Sequence, residues 1–148
     1  MDELRRKGLD KMNEVYGWEM TNIEGDPFFD LTVDHLFGTI WTRPGLSMRD
    51  KRIMTLTVVT ALGIQDLAEI QANAAIGNGE LTVDELKEMA IFLTHYLGFP
   101  LGSKLDGVVT KVAKQRKKGS GRDKAEERRA NVNAAVQMHS GGKVHDDK

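Results

Sequence analysis

The sequence predicts an all-α protein, and three observations support this prediction. Apolar residues recur at intervals of three and four in almost every interpretable segment, which is the spacing of one face of a helix. Ser47 and Thr82 each stand three residues before an acid, as N-cap residues do. No pair of alternating runs flanks a tight turn, so no β-hairpin is predicted. The expected architecture is a helical bundle followed by a C-terminal tail that is helical or extended.

The first two helices are predicted on either side of a turn. Residues 4–16 form a charged amphipathic helix, and a turn over residues 25–27 precedes a second helix over residues 28–40. The apolar residues of the second helix make one stripe at helical spacing: Val33, Leu36, Phe37, Ile40 and Trp41. Pro44 ends this part, because proline disfavours helical geometry in the residue before it.

The next helix contains the most apolar run of the chain. It begins at the Ser47 cap and ends at Gly63, and residues 53–62 are apolar or threonine on every face. We expect such a helix to be central and buried on nearly all sides. A domain of about 110 residues has little interior to bury every face of a helix, so the run also favours a homo-oligomer.

Three further helices follow. An alanine-rich helix over residues 65–76 ends at the Gly77–Gly79 segment, whose residues tolerate positive φ. A capping box at Thr82–Glu85 opens the next helix, which ends at residues 98–100. The last helix is predicted from about residue 102 toward residue 117.

The composition excludes several classes of function. The 148-residue chain contains no cysteine, which excludes disulfides, thiolate metal sites, iron–sulfur clusters and thiol catalysis. No apolar run approaches the roughly 18 residues that a membrane-spanning helix needs. The charged N-terminus lacks the apolar region of a signal peptide. We therefore expect a cytoplasmic protein that does not associate with membranes.

The charge distribution predicts two parts. Residues 1–110 carry 10 basic and 17 acidic side chains, whereas residues 111–130 carry nine basic and three acidic ones. The Gly119–Gly121 segment breaks the helical pattern at this change. The prediction is a helical domain over residues 1–118 and a basic, polar extension over residues 119–148.

The basic extension raises the question of nucleic-acid binding. It has no interleaved aromatic residues and no helix-turn-helix or zinc pattern, and the acidic body would repel phosphate. His139 and His145 are sparse ligands without supporting residues, so no metal site is predicted. Residues 122–138 have a thin apolar stripe that needs a partner surface. We expect the extension to pack on the acidic body of its own or a neighbouring subunit.

A series of motifs keeps its spacing without gaps from Trp41 to Pro100. These motifs are Trp41-Thr42-Arg43-Pro44-Gly45-Leu46, Leu56-Thr57, Ala61-Leu62-Gly63, Ala74-Ala75, Gly77-Asn78-Gly79, Thr82–Glu88 and Tyr96–Pro100. Their order and spacing resemble the carboxymuconolactone decarboxylase family, whose wider relatives include the alkylhydroperoxidase D-like proteins. The resemblance implies the family's helical bundle and a homotrimer or homohexamer. It also implies acid–base lyase chemistry on a small carboxylic acid or lactone, without metal or organic cofactor.

The resemblance also identifies where this chain departs from the family. The histidine associated with proton transfer in the lactone decarboxylases corresponds to Gln71, and glutamine has no pKa that suits proton exchange near neutrality. The two cysteines of the peroxidase relatives correspond to Ile64 and Leu67, so the thiol peroxidase reaction is excluded. The helper glutamate of those relatives corresponds to Arg52, which reverses the charge.

Two histidines are candidate substitutes for the missing proton carrier. His35 lies on the second helix and serves this role if that helix borders the pocket; otherwise it is a half-buried surface histidine. His95 lies in the last turn of its helix, where it reaches a pocket or a subunit interface, or is favoured by the helix dipole alone.

Four other residues are candidates for binding substrate. Trp41 and Arg43 offer an indole and a guanidinium, which together suit an apolar acid. The alternative is that Trp41 is buried in the core and that Arg43 pairs with an acid of a neighbouring subunit. If the family packing holds, Arg52 lies near Gln71 and forms either an anion site or a buried polar bridge. Two functions remain open: a decarboxylase-like lyase, and a catalytically inert protein that binds a small acid or serves as an oligomeric scaffold.

Overall fold

The computed structural model describes residues 1–119, which form helices and no strand. Helix α1 spans Glu3–Tyr16, and α2 spans Pro27–Asp30 and continues into a π-helix over Leu31–Ile40. Helices α3, α4, α5 and α6 span Met48–Ala61, Gln65–Gly77, Val83–Leu97 and Phe99–Lys118. The all-α prediction is confirmed. No helix of residues 1–119 is long and apolar enough to cross a membrane.

The described chain divides into two compact units. The first unit contains residues Met1–Glu14 and Trp18–Arg43, and the second contains Val15–Gly17 and residues 44–119. The predicted extension from residue 120 onward, which contains His139 and His145, lies outside the described residues, so its expected packing on the acidic body stays a prediction. The predicted boundary between a domain and an extension therefore stays a prediction, as does assembly into an oligomer.

Arg5 is the polar centre of the first unit. Its guanidinium donates hydrogen bonds to Asp30, to Asp34 (Nε to Oδ1, 2.7 Å) and to Asn22 (Nη1 to Oδ1, 3.1 Å). The hydrogen bonds to Asp30 and Asp34 raise the pKa of Arg5 above its ordinary value, and the bond to Asp30 has the larger effect. These bonds connect α1 to α2 and to the π-helix.

The second predicted helix is present, but most of it is not an α-helix. Asp26 caps it by accepting hydrogen bonds from the backbone of Phe28 and Phe29, and the chain adopts π geometry from Leu31. The backbone N–H of Trp41 accordingly donates to the carbonyl of Leu36, five residues before it (2.9 Å). The predicted helix is confirmed, and its π geometry was not predicted, because apolar spacing over ten residues does not separate i→i−4 from i→i−5 bonding.

The core of the second unit lies among α3, α4, α5 and α6. Thirteen buried residues form it: Leu56, Val59, Ala68, Ala72, Ala75, Leu81, Leu86, Ala90, Leu93, Leu105, Val108, Val109 and Val112. Ser47 caps α3 by accepting from the Asp50 backbone N–H at 3.0 Å, and the predicted capping box of Thr82 and Glu85 is present with both bonds at 3.1 Å. Local start signals thus position both helices as predicted.

Two predictions about this unit were wrong. Residues 53–62 are not buried on nearly all sides, since Met54, Val58 and Leu62 are 52%, 57% and 67% exposed in this chain. The reason is that the buried residues of α3 lie on one face only. Helix α6 begins at Phe99 and not near residue 102, because Pro100 occupies its first turn, where proline is tolerated.

Candidate functional site

The polar residues Arg52, Gln71 and Glu80 form a cluster inside the second unit, called here the buried polar cluster. The Arg52 side chain is 0% exposed, the Glu80 side chain is 8% exposed, and Gln71 is 7% exposed. Charged side chains are almost never fully buried unless they are paired. The cluster is therefore a specific feature of this interior.

Arg52 uses four of its five N–H donors inside the cluster. Its Nε donates to Glu80 Oε2 at 3.0 Å and its Nη2 donates to Glu80 Oε1 at 2.9 Å, which is a two-point contact with the carboxylate. Its Nη1 donates to the carbonyl of Val15 at 2.6 Å and to Gln71 Oε1 at 2.5 Å. The guanidinium charge is thus balanced by Glu80 and its hydrogen-bonding capacity is nearly filled.

Local sequence explains how the cluster is positioned. Arg52 and Gln71 lie on the buried faces of α3 and α4, and Glu80 follows the turn that ends α4. Gly79 makes this turn with a φ of 71°, which glycine adopts at low cost. The backbone N–H of Glu80 then donates to the carbonyl of Ala75 at 2.9 Å, which directs the segment back onto α4.

The hydrogen bond from Arg52 fixes the orientation of the Gln71 amide. Arginine has donors and no acceptor, so the atom that faces it must be the carbonyl oxygen of the glutamine. The Gln71 amide nitrogen then points away from Arg52 and has no hydrogen-bond partner among residues 1–119. The cluster therefore offers two N–H donors and no proton acceptor at this position.

The predicted contact between Arg52 and Gln71 is present in the structure. The roles of Arg52 and Gln71 in substrate binding stay predictions. The contacts of Arg52 match the alternative of a buried polar bridge, because Arg52 is fully buried and bonded to both Glu80 and Gln71. Glu80 and the carbonyl of Val15 were not predicted as members. The available signal was that a buried arginine needs an acid, and Glu80 is the first acid after the end of α4.

The structure places Trp41 and Arg43 in the first unit, at the end of the π-helix. The Trp41 ring stacks on Phe37, with ring centroids 6.2 Å apart and an angle of 24° between the planes. Trp41 is half-buried and Arg43 is exposed, and the Arg43 backbone N–H donates to the carbonyl of Ile40 at 3.2 Å. Their predicted role in binding a carboxylate stays a prediction.

The two candidate histidines are both exposed. His35 lies on the π-helix of the first unit, and His95 lies on α5 of the second unit with its Nδ1 2.8 Å from the carbonyl of Ile91. In the described part of the second unit, His95 forms no hydrogen bond with a member of the buried polar cluster. Their role as proton carriers stays a prediction.

Comparison with known proteins gives two matches. The model of the carboxymuconolactone decarboxylase family matches residues 26–109, a range that contains the whole buried polar cluster except Val15. A 4-carboxymuconolactone decarboxylase from Acinetobacter baylyi is 34% identical over 107 residues, which are 67% of this chain and 79% of that protein. No solved structure gives a significant match.

Proposed function

Because the chain belongs to the carboxymuconolactone decarboxylase family, we propose that it is a cofactor-free carboxy-lyase that acts on a small carboxylated lactone. The matched relative bears the name of this reaction, and the chain spans most of its length. The finer proposal concerns Gln71, which replaces the histidine that the family resemblance implies at this position.

The observation that carries the finer proposal is the direction of the Gln71 amide. Decarboxylation breaks the bond between a ring carbon and the carboxylate, and the electron pair moves onto the conjugated carbonyl oxygen of the lactone. Donors that are aimed at this oxygen stabilise the developing charge. The Gln71 amide N–H groups, turned away from Arg52 by its bond to Oε1, are suited to this task.

Arg52 acts in this proposal as a positioning residue. Its charge is paired with Glu80 and its side chain is fully buried, so it orients the Gln71 amide and does not hold the substrate carboxylate itself. The binding of a carboxylate by Arg43 and of an apolar ring by Trp41 are proposed separately from the role of Gln71, because both residues belong to the first unit. His35 or His95 supplies the proton that the ring carbon takes up after CO₂ leaves.

The test is release of CO₂ from 4-carboxymuconolactone by the full chain, with variants of two glutamines on α4. Gln71→Ala should lower kcat by a factor of about 10²–10³, the loss typical of one oxyanion donor. Gln65→Ala is the matched control, because Gln65 is on the same helix and is exposed. Equal turnover by both variants, at equal helical content, would refute the role of Gln71.

The histidines are tested separately. His35→Ala and His95→Ala each remove an exposed imidazole, so neither should affect folding. Loss of turnover in one variant identifies the proton carrier and makes the other variant its control. Turnover that neither change affects would reject both histidines.

A second function is favoured by the chemistry of Gln71 itself. Glutamine cannot exchange a proton near neutrality, and Arg52 is already neutralised inside the protein. A protein with these features can bind a small acid through Gln71 without converting it. Saturable binding of the lactone carboxylate, lost in Gln71→Ala and without CO₂ release in any variant, would support this inert alternative.

A further inference from the structure

Exposed aromatic side chains lie where α5 ends and α6 begins. Phe92 and Tyr96 on α5 are 62% and 77% exposed, and Phe99, the first residue of α6, is 76% exposed. Ile91, next to Phe92 in the sequence, is 56% exposed. We call these four residues the α5 face. Single exposed apolar residues are common in soluble proteins, but a group of four large ones indicates an interaction surface.

The α5 face is built on helices and not on a long loop. The rings of Phe92 and Tyr96 lie one turn apart, with centroids separated by 5.2 Å and planes at 35° to each other. Gly98 ends α5 with a φ of 91°, which glycine adopts at low cost, and α6 begins with the next residue. The aromatic side chains are therefore held in place before any partner binds.

Helix α5 is apolar on two sides. Leu86, Ala90 and Leu93 are buried and belong to the core of the second unit, whereas Phe92 and Tyr96 lie on the exposed side. A surface helix normally carries charged and polar residues on the side away from the core. The α5 face therefore has the composition of a second buried surface.

The charge of the chain favours a second copy as the partner. Residues 89–103 are the longest run of the chain without Asp, Glu, Lys or Arg, although 29% of all residues are charged. Residues 1–110 carry 10 basic and 17 acidic side chains, so two copies repel each other over most of their surfaces. They repel least where neither copy presents a charge. A partner of opposite charge would instead be attracted to the charged surfaces.

The area of the α5 face suits a contact between two copies. With about 200 Å² for each fully exposed side chain of this size, the four exposed fractions amount to about 500 Å². Glu88, His95 and Ser103 are exposed polar residues close to these four in the sequence. Their addition brings the area to the roughly 600–800 Å² that each partner contributes to a small specific interface.

We propose that the α5 face is a self-association surface, on which α5 of one copy packs antiparallel against α5 of a second copy. Asp84 and Glu88 are exposed in the first half of the helix. An antiparallel, two-fold contact places these acids of the two copies at opposite ends, whereas a parallel contact would place like charges side by side. The family resemblance implies three or six copies but assigns no surface to their contacts. The inference does not depend on the proposed lyase activity.

The surface is tested by sedimentation velocity of the full chain over a range of concentrations. Phe92→Glu should weaken association about a hundredfold or more, because each contact would bury two unpaired carboxylates. Phe92→Leu keeps an apolar side chain and should retain association. Gln65→Glu is the matched control, because it adds the same charge at an exposed position on α4 and should have little effect. Circular dichroism should show equal helical content in all variants, since both positions are exposed.

Three outcomes would overturn this assignment. A wild-type chain that stays monomeric at every concentration would show that no second copy covers the face, as when residues 120–148 of the same chain cover it. Association that Phe92→Glu leaves unchanged would place the contact on another surface. Equal weakening by Phe92→Glu and Gln65→Glu would show a general effect of added charge.

The two-fold geometry is tested with a single introduced thiol. The chain contains no cysteine, so one substitution reports on one position. His95 lies near the middle of the run from Ile91 to Phe99, where the two copies of a residue come close in a two-fold contact. Mild oxidation of His95→Cys should therefore give a covalent dimer, whereas Asp66→Cys, exposed on α4, should not. Failure of His95→Cys to cross-link under conditions in which the wild type associates would refute the antiparallel contact.

Discussion

Replacing Glu80 by glutamine tests whether the buried polar cluster is held by a desolvated ion pair. The change keeps the size of the side chain and removes its charge, so Arg52 stays buried without a counter-ion. Glu80 and Arg52 are joined by hydrogen bonds of 2.9 and 3.0 Å, and their side chains are 8% and 0% exposed. The variant should therefore lose stability mainly through electrostatics.

The size of the loss follows from this geometry. Two unit charges about 4 Å apart attract by about 4 kcal/mol at an effective dielectric constant near 20. A glutamine carbonyl would still accept one hydrogen bond from Arg52, which offsets part of the loss. We expect the free energy of unfolding to fall by about 3 kcal/mol, at the lower end of the range for removing one partner of a buried pair.

The assay is urea denaturation followed by circular dichroism at neutral pH. With an m value of about 2 kcal/mol/M, the midpoint should fall by about 1.5 M urea. Glu85→Gln is the matched control, because Glu85 pairs with Arg49 on the surface and glutamine still completes the capping box. Moderate salt should not reduce the difference, since buried charges are screened weakly. A Glu80→Gln midpoint that falls no further than that of Glu85→Gln would refute the buried pair.

The remaining predictions concern a helix contact and two ionisable groups. Gly102→Ala should destabilise the protein by about 1–3 kcal/mol in thermal unfolding, because a Cβ would lie 2.9 Å from the backbone of Thr94. The control is Gly107→Ala on the same helix, whose Cβ would meet no atom within 4 Å and which should be neutral or stabilising. Burial raises the pKa of Tyr16 above 10.0, so the folded state keeps the tyrosine proton to a higher pH than the unfolded state does. The free energy of unfolding therefore falls as pH rises above that value, and Tyr16→Phe should flatten this fall in denaturation measured at alkaline pH. The hydrogen bond from Arg49 lowers the pKa of Glu85, so the contribution of Glu85 to stability is present above its unfolded pKa and is lost as pH falls through its folded pKa. Glu85→Gln should therefore make the acid side of the curve of stability against pH shallower, and an unchanged slope would contradict this.

Part of the candidate site was predictable from the sequence. The motif spacing between Trp41 and Pro100 identified the family and marked Gln71 as the departure from it. The contact between Gln71 and Arg52 followed from the resemblance as an expectation. Glu80 was not predicted, because its pairing with Arg52 spans 28 positions and no local spacing encodes it.

The sequence by itself determined that the helices form and where most of them end. Periodic apolar residues, the Ser47 and Thr82 caps and the glycine and proline stops act over a few residues, so they can be read along the chain. The π geometry after Leu31 and the exposed face of α3 could not be read in this way, because they depend on hydrogen bonding and on which neighbours cover a helix. Only the tertiary structure decided the direction of the Gln71 amide. An amide can turn either end toward a partner, and here a buried donor from α3 selects its oxygen and leaves the nitrogen without a hydrogen-bond partner among residues 1–119.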